Sequence, residues 1–292
     1  MKVRFAVSIG LGGGDPEALG SAVRRAEELR FDTLWFSDVP SMGSVDPLLA
    51  VAYAGARTSR VKLGINLIPF GYSPYRVATK LAQLDRLTGG RLLVTIVPGL
   101  ETPGERASLA TLGRHRGRMI EDLLPQLRAW WAGEALPVGD GLELALPATP
   151  LQVPLEVWLG GSGPEAVERA GRFSDGWLGS LVTPAKAGEI RAGIQDAAER
   201  AGRSIDSEHF GLSIGYARER EDLAKAVRLR RPSRGGAEVE DLVPVGPAAL
   251  RDFAGELVDH GISKFVVRRV APVESWDDEL GWLAATVLDL QT

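Results

Sequence analysis

The chain of 292 residues has no cysteine, which excludes disulfides, thiolate metal sites and thiol nucleophiles and agrees with a cytoplasmic protein. Histidine is almost as scarce. His115, His209 and His260 are the only three, and no pair of them has metal-ligand spacing, so no resident metal is expected. A GxSxG nucleophile elbow is absent as well. Neither sign of charge dominates. Lys and Arg number 34 against 38 Asp and Glu, for a net charge of -4 with no basic block, which argues against a nucleic-acid partner. No apolar run approaches the roughly 18 residues needed to cross a bilayer, so no membrane association is expected. The opening "MKVRFAVSIG" is too short in its apolar part, and lacks a cleavage site, to read as a secretory signal.

What is present has ordinary globular balance, with 45% hydrophobic and 25% charged residues. Short apolar, β-branched runs alternate with helical patterns. Strands are expected at 3–10, 33–38, 61–68, 91–97, 155–160, 176–180, 210–216 and 263–269. Asp15-Pro16, Asp46-Pro47 and Ser73-Pro74 each give the signal of a capping side chain followed by proline in the first helical turn. Near-continuous apolar strands are buried on both faces, as a parallel sheet requires. Eight of them with intervening helices predict an α/β fold of the (β/α)8 TIM-barrel type, formed as a single domain over 1–292 with insertion loops at its C-terminal face. A doubly wound sheet is the alternative, but "GLGGG" at 10–14 has the wrong spacing for a dinucleotide fingerprint. Two stretches break the alternation. The Pro/Gly-rich 133–154 reads as a loop or small hairpin, and 218–245, with its "RLRRPSRGG", as either a solvated connector or a lid.

The segment "VWLGGSGPEAVERAGRFSDGW" (157–177) places Gly160-Gly161-Ser162-Gly163 between a strand and a Pro-started helix. Glycines let backbone approach a ligand, and free N–H groups at a helix start favour an anion such as phosphate. Ser162 and the nearby Ser180 add hydroxyls. A simple strand-to-helix turn is the other reading. Few acid/base groups fall at strand C-terminal ends. Asp38 is the candidate for proton transfer or for a loop cap, Glu101 follows strand four, and Asp175 precedes strand six and reads as structural. An anion-binding backbone with few acids and bases suggests that a cofactor carries the chemistry.

Three stretches, "AEELRFDTLWFSD", "SPYRVATKLAQLDRLTGGRLLVTIVPG" and "PLEVWLGGSGPEAVERAGRFSDGW", together with "VGPAALRDFAGELVDHGISKFVV", resemble the bacterial-luciferase-like superfamily. Within it the chain looks closest to the deazaflavin (coenzyme F420) oxidoreductases. The resemblance implies a barrel that binds coenzyme F420, with FMN as the alternative, and transfers a hydride to or from a small organic substrate. It puts the cofactor phosphate at Gly161, Ser162 and Gly163 with Ser180. It puts a non-prolyl cis peptide at Asn66-Leu67 under the ring, and Asp38 and Pro98-Gly99 against the ring or its tail. Trp35, Phe36, Met42, Phe70 and Tyr72 are candidates for the substrate side, or for core and interface. Arg268 or Arg269 is either a counter-charge to phosphate or an ordinary ion pair. The resemblance also implies a homodimer through helices beside strands two and three. Where many relatives have Asp-His after the second strand, this chain has Asp38-Val39. Two other readings stay open: an FMN-dependent monooxygenase served by a separate reductase, and a non-enzymatic cofactor-binding relative.

Overall fold

The computed structural model describes residues 1–10, 15–39, 45–227 and 238–292, with only the backbone of 224–227. Met42 and the Arg-rich "RLRRPSRGGA" at 228–237 lie outside the described residues. The strands are β1 (Arg4–Ser8), β2 (Thr33–Ser37), β3 (Lys62–Leu67), β4 (Leu92–Ile96), β5 (Leu136–Gly139), β6 (Leu142–Leu144), β7 (Val157–Leu159), β8 (Gly176–Ser180), β9 (Phe210–Tyr216) and β10 (Lys264–Arg269). The helices are α1 (Pro16–Glu28), α2 (Pro47–Gly55), α3 (Pro74–Leu87), α4 (Pro103–Ser108), α5 (Arg116–Trp131), α6 (Pro164–Phe173), α7 (Pro184–Arg200), α8 (Arg220–Val227), α9 (Val239–Leu242), α10 (Gly246–Asp259) and α11 (Trp276–Val287).

Eight strands close into a barrel in the order β1-β10-β9-β8-β7-β4-β3-β2, and every barrel pairing is parallel. The predicted strands are all present. The expected loop or hairpin at 133–154 is the β5–β6 hairpin, antiparallel and outside the barrel. Its return is anchored by the buried Asp85, whose carboxylate accepts from the backbone N–H groups of Leu151 and Gln152 at 2.7 and 2.9 Å. The Pro-started helices form as expected. Asp15 accepts from the N–H of Glu17, and Asp46 from that of Leu48, each cap contributing about 1 kcal/mol.

Alternation along each strand sorts its side chains. Phe5, Leu34, Leu63, Val94, Val157, Phe210 and Phe265 face outward and pack with the helices in the main core. Ala6, Trp35, Leu178 and Val266, with Leu93 and Trp158 against them, form a separate cluster inside the barrel. Inward glycines make room for these large rings. A Cβ on Gly64 would lie 2.1 Å from the Trp35 ring, and one on Gly176 would lie 2.5 Å from Trp158. A cavity of about 160 Å³ remains beside them toward the N-terminal end, bordered by Trp35, Trp158, Lys62, Thr95 and Lys264. Because the rings plug the middle of the barrel, a ligand at the C-terminal mouth rests on a packed floor.

Candidate active site

Parity places the polar residues of the last strand turn around one ring. Two positions above the interior cluster, Ser8, Ser37, Asn66, Ser180 and Arg268 face the mouth, and Thr95, the register partner of Asn66, is buried in the same layer. Two atoms in this layer are buried without a hydrogen-bond partner, Asn66 Oδ1 and Thr95 Oγ1. Asn66 Nδ2 donates to Ser37 Oγ at 3.0 Å, which fixes the amide with its free oxygen still to be satisfied. A buried unpaired acceptor costs about 1–3 kcal/mol, so this floor is poised to receive a polar ligand.

The predicted phosphate cradle stands at the ends of β7 and β8. Gly160 donates its N–H to Ile96 O at 3.2 Å, and a Cβ there would meet Val97 at 2.9 Å. Gly161 has φ +113°, a conformation that disfavours any side chain, and its carbonyl accepts from Trp177 Nε1 at 2.8 Å. Gly163 is the N-cap of α6, with no side-chain cap and open space where a Cβ would stand. The N-termini of α1, α2, α3, α4, α5, α7 and α11 are all capped by side chains. The starts of α6 and α10 have no side-chain cap, and that of α6, next to the glycine turn, keeps donors and a positive dipole end free for an anion. Ser162 is half-buried beside it, and Ser180 is exposed on the neighbouring strand. Glu165 in the first turn of α6 opposes an anion, and its carboxylate reaches away to His115 Nε2 at 3.4 Å.

Across the mouth, Asp38 leaves β2 with its N–H bonded to Asn66 O at 2.9 Å, and its Oδ2 accepts from the Ile68 N–H at 3.2 Å. Burial raises its pKa to about 6, repulsion from Asp46 and Glu105 adds to the rise, and the Ile68 hydrogen bond opposes it. Both forms of the carboxyl are thus populated near neutral pH. Glu105 was not singled out from the sequence. It sits on the short α4, is 5% exposed, and accepts from the Leu100 N–H, leaving Oε2 buried without a partner. A Cβ on Gly99, where φ is +72°, would lie 2.5 Å from Glu105 Oε1 and 2.8 Å from Ile68, so only glycine fits this turn after β4. Pro98 is half-buried in the same turn.

Several expectations need correction. Asn66-Leu67 is trans, and Val153-Pro154 is the sole cis bond among the described residues. β3 keeps regular parallel register through Leu67, opposite Ile96, so its backbone stays extended there. The Leu67 side chain is buried in the outer core and does not enter the mouth, although its carbonyl accepts from Val97 N–H at 3.0 Å at the rim. Trp35 plugs the barrel and Phe36 packs outward against the helices, so neither faces a substrate at the mouth. Phe70 and the exposed Tyr72 border a groove of about 380 Å³ against α5 beside the mouth. Asp175 is structural, as expected. It pairs with Arg128 at 3.0 Å and accepts from the Val157 N–H at 2.9 Å. His115 caps α5, His260 ends α10 and His209 precedes β9, and no cluster that could hold a metal exists among the described residues.

A sequence model of the luciferase-like monooxygenase family matches residues 2–257. The chain belongs to that family. It is 27% identical over 224 residues to a putative coenzyme F420-dependent oxidoreductase of Mycobacterium tuberculosis, a match covering 69% of this chain but 62% of the relative. It is 25% identical to an F420-dependent glucose-6-phosphate dehydrogenase of Nakamurella multipartita, over 85% of this chain and 82% of the relative. An FMNH(2)-dependent dimethylsulfone monooxygenase of Pseudomonas fluorescens is 31% identical over 59% of the chain and 48% of the relative. The fold superposes with a TM-score of 0.80, at 17% identity and full coverage of both chains, on an F420-dependent secondary alcohol dehydrogenase solved with an F420-acetone adduct. Family membership agrees with the barrel, and the relatives are enzymes that use a deazaflavin or a flavin. No helix among the described residues is long and apolar enough to cross a membrane.

Proposed function

We propose that this protein is a coenzyme F420-dependent oxidoreductase that transfers a hydride between the deazaflavin and a small organic substrate at the barrel mouth. The observation that carries the reading is the uncapped start of α6, behind Gly160–Gly163, with open space at Gly163. It suits the phosphate that both deazaflavin and flavin cofactors carry. Gly161, Ser162, Gly163 and Ser180 would hold that phosphate. Asn66 Oδ1, Thr95 Oγ1 and the Pro98-Gly99 turn would meet the ring and its tail, and Leu67 would contribute only backbone. When bound, the cofactor supplies the two-electron chemistry by accepting or giving a hydride.

The protein's own residues orient, exclude water and manage the proton. The Trp35 and Trp158 plug closes the barrel beneath the reacting groups. Asp38 is the proposed catalytic group. As a carboxylate it takes a proton from a substrate being oxidised, and as a carboxylic acid it gives one to a substrate being reduced. Its pKa of about 6 allows either direction near neutral pH. The deazaflavin is placed before FMN because the F420-dependent glucose-6-phosphate dehydrogenase match spans 85% of this chain, a narrow margin over the 80% spanned by an FMNH(2)-dependent dimethylsulfone monooxygenase of Pseudomonas putida. A cytoplasmic homodimer belongs to the same reading. Leu49 on α2 and Leu87 on α3 are 68% and 72% exposed on the helices beside β2 and β3.

The direct test is equilibrium binding of coenzyme F420 and FMN to the purified protein and to Gly163→Asp. At Gly163 the φ of -77° and the open space accept a side chain, and aspartate is a good N-cap. The variant should fold with stability equal to wild type or a few tenths of a kcal/mol higher. Its like charge should weaken cofactor binding at least about ten-fold. Tighter binding of FMN than of F420 would move the reading to the monooxygenase, and unchanged affinity in Gly163→Asp would remove the cradle.

A further inference from the structure

The two adjacent arginines at the end of β10 have opposite fates. Arg269 points outward and is fully engaged: its Nη1 bonds Glu279 at 2.7 Å and its Nη2 bonds Asp222 at 3.0 Å. Tyr216 donates to the same Glu279, and Arg218 reaches it at 3.5 Å, so the cluster ties β9, β10 and α11 together. Arg268 points the other way, on the inward face shared with Val266, and has no hydrogen bond or ion pair among the described residues. Gly215 lies beside it, and a Cβ added there would stand 3.9 Å from Nη2. Gly215, on the inward face of β9, places no side chain beside the guanidinium. Arg268 is exposed to the mouth, and the protein crowded around its stem lowers its pKa from the usual arginine value. A guanidinium stays charged under any ordinary condition. The segments outside the described residues, 11–14, 40–44 and 228–237, contain no Asp or Glu, so they hold no carboxylate that could pair with it.

Ring order separates this cation from the phosphate cradle. Around the barrel the strands run β7, β8, β9, β10, β1, β2, β3, β4. The cradle occupies β7 and β8. The short arc from β7 through β4 to β3 carries Thr95, the Gly99 turn and Asn66, and ends beside Asp38. A cofactor that leaves its phosphate at the cradle and uses those unpaired acceptors fills that arc. Arg268 stands on the other arc, between β9 and β1, where the second reactant must lie.

We infer that Arg268 is a substrate-specificity residue: the substrate carries an anionic group, a carboxylate or a phosphate, which binds the Arg268 guanidinium while its reacting carbon faces the cofactor. This rests on the reading of the mouth as a hydride-transfer site only for the identity of the second reactant. A charge-assisted contact with a guanidinium that opens into the mouth favours an anion over a neutral analogue of the same shape, which cannot pair with it.

The test uses three probes of one shape, benzoate, phenyl phosphate and the neutral benzamide, titrated against the F420-loaded protein and against Arg268→Gln and Arg268→Lys. The expected result is that one or both anions bind at least ten-fold tighter than benzamide. Arg268→Gln should abolish that preference, and Arg268→Lys should keep part of it. The affinity of Arg268→Gln for F420 itself should stay within about two-fold of wild type, and its thermal midpoint should be unchanged or higher. Whichever anion binds tighter identifies the carboxylate or the phosphate class. Equal binding of benzamide and both anions overturns the inference. So does a ten-fold loss of F420 affinity in Arg268→Gln, which would make Arg268 a cofactor residue. If wild type does not take up F420, the hydride-transfer reading fails on its own. The anion preference is then read on the cofactor-free protein, where its loss in Arg268→Gln still supports an anion site and its absence still refutes one.

Discussion

At the residue scale, Asp38 links chemistry to stability through one proton. Its carboxyl titrates near 6 in the folded chain, against 3.8 for the free side chain, because burial disfavours the charged form. The folded state therefore holds this proton more tightly than the unfolded one. Stability from this group is complete below pH about 4 and is lost as pH rises toward 6, by up to about 1–3 kcal/mol given partial solvent screening. Asp38→Asn keeps an acceptor for the Ile68 N–H and removes the titration. The variant should be more stable than wild type at pH 8 and nearly equal to it at pH 4, as denaturant unfolding at both values will show. Turnover should fall about 100-fold or more. In wild type, kcat/KM for substrate oxidation should rise with pH through about 6, and for reduction it should fall through the same value. Persistence of that inflection in Asp38→Asn would assign the proton to another group.

At the scale of elements, the strand-to-helix turn at 160–163 is held from outside by a side chain that never enters the mouth. Trp177 is fully buried among the helices and donates to Gly161 O at 2.8 Å, holding the carbonyl away from the proposed anion site. Trp177→Phe removes that donor. It should cost about 1–3 kcal/mol in unfolding free energy for the unsatisfied carbonyl and lost packing. It should also weaken cofactor binding several-fold, because the turn is then free to rotate its carbonyl inward. Reduced stability with unchanged affinity, measured side by side, would show that the glycines hold the turn alone. Elements of this kind were legible to different degrees in the sequence. The eight strands were readable because burial on both faces makes each a short apolar run. The strand-to-helix turn at 160–163 was readable because glycine, serine and proline cluster at a strand end. The helix α4 was not, because "PGERAS" has six residues and buries only Glu105, so no apolar stripe announces it. With α4 unseen, Glu105 and its pressure on Asp38 were unseen too. Arg268 and Arg269 were indistinguishable as neighbours, since which one faces inward depends on strand parity in the closed barrel. The trans Asn66-Leu67 bond shows that a family habit need not carry over.

At the scale of the whole molecule, the active mouth depends on how the barrel is filled below it. Trp35 reaches across from β2 into the space that Gly64 leaves empty on β3, with the Cβ position only 2.1 Å from the ring. Two residues further along the same strands stand Ser37 and Asn66, joined at 3.0 Å and forming the floor of the proposed ring site. Packing at one level thus sets polar geometry at the next. Gly64→Ala cannot be absorbed in place, so the indole must swing into the adjacent cavity of about 160 Å³ or the strands must part. Overpacking of this kind costs about 1–3 kcal/mol, softened here by the available space. The variant should unfold at lower denaturant, show altered tryptophan emission, and bind the cofactor less tightly although no mouth residue has changed. Adding Trp35→Leu to Gly64→Ala should relieve the clash and restore part of the stability, so the two changes are non-additive. If Gly64→Ala alone left stability and cofactor affinity at wild-type values, the indole would be free to move. The link from barrel packing to the site would then be broken.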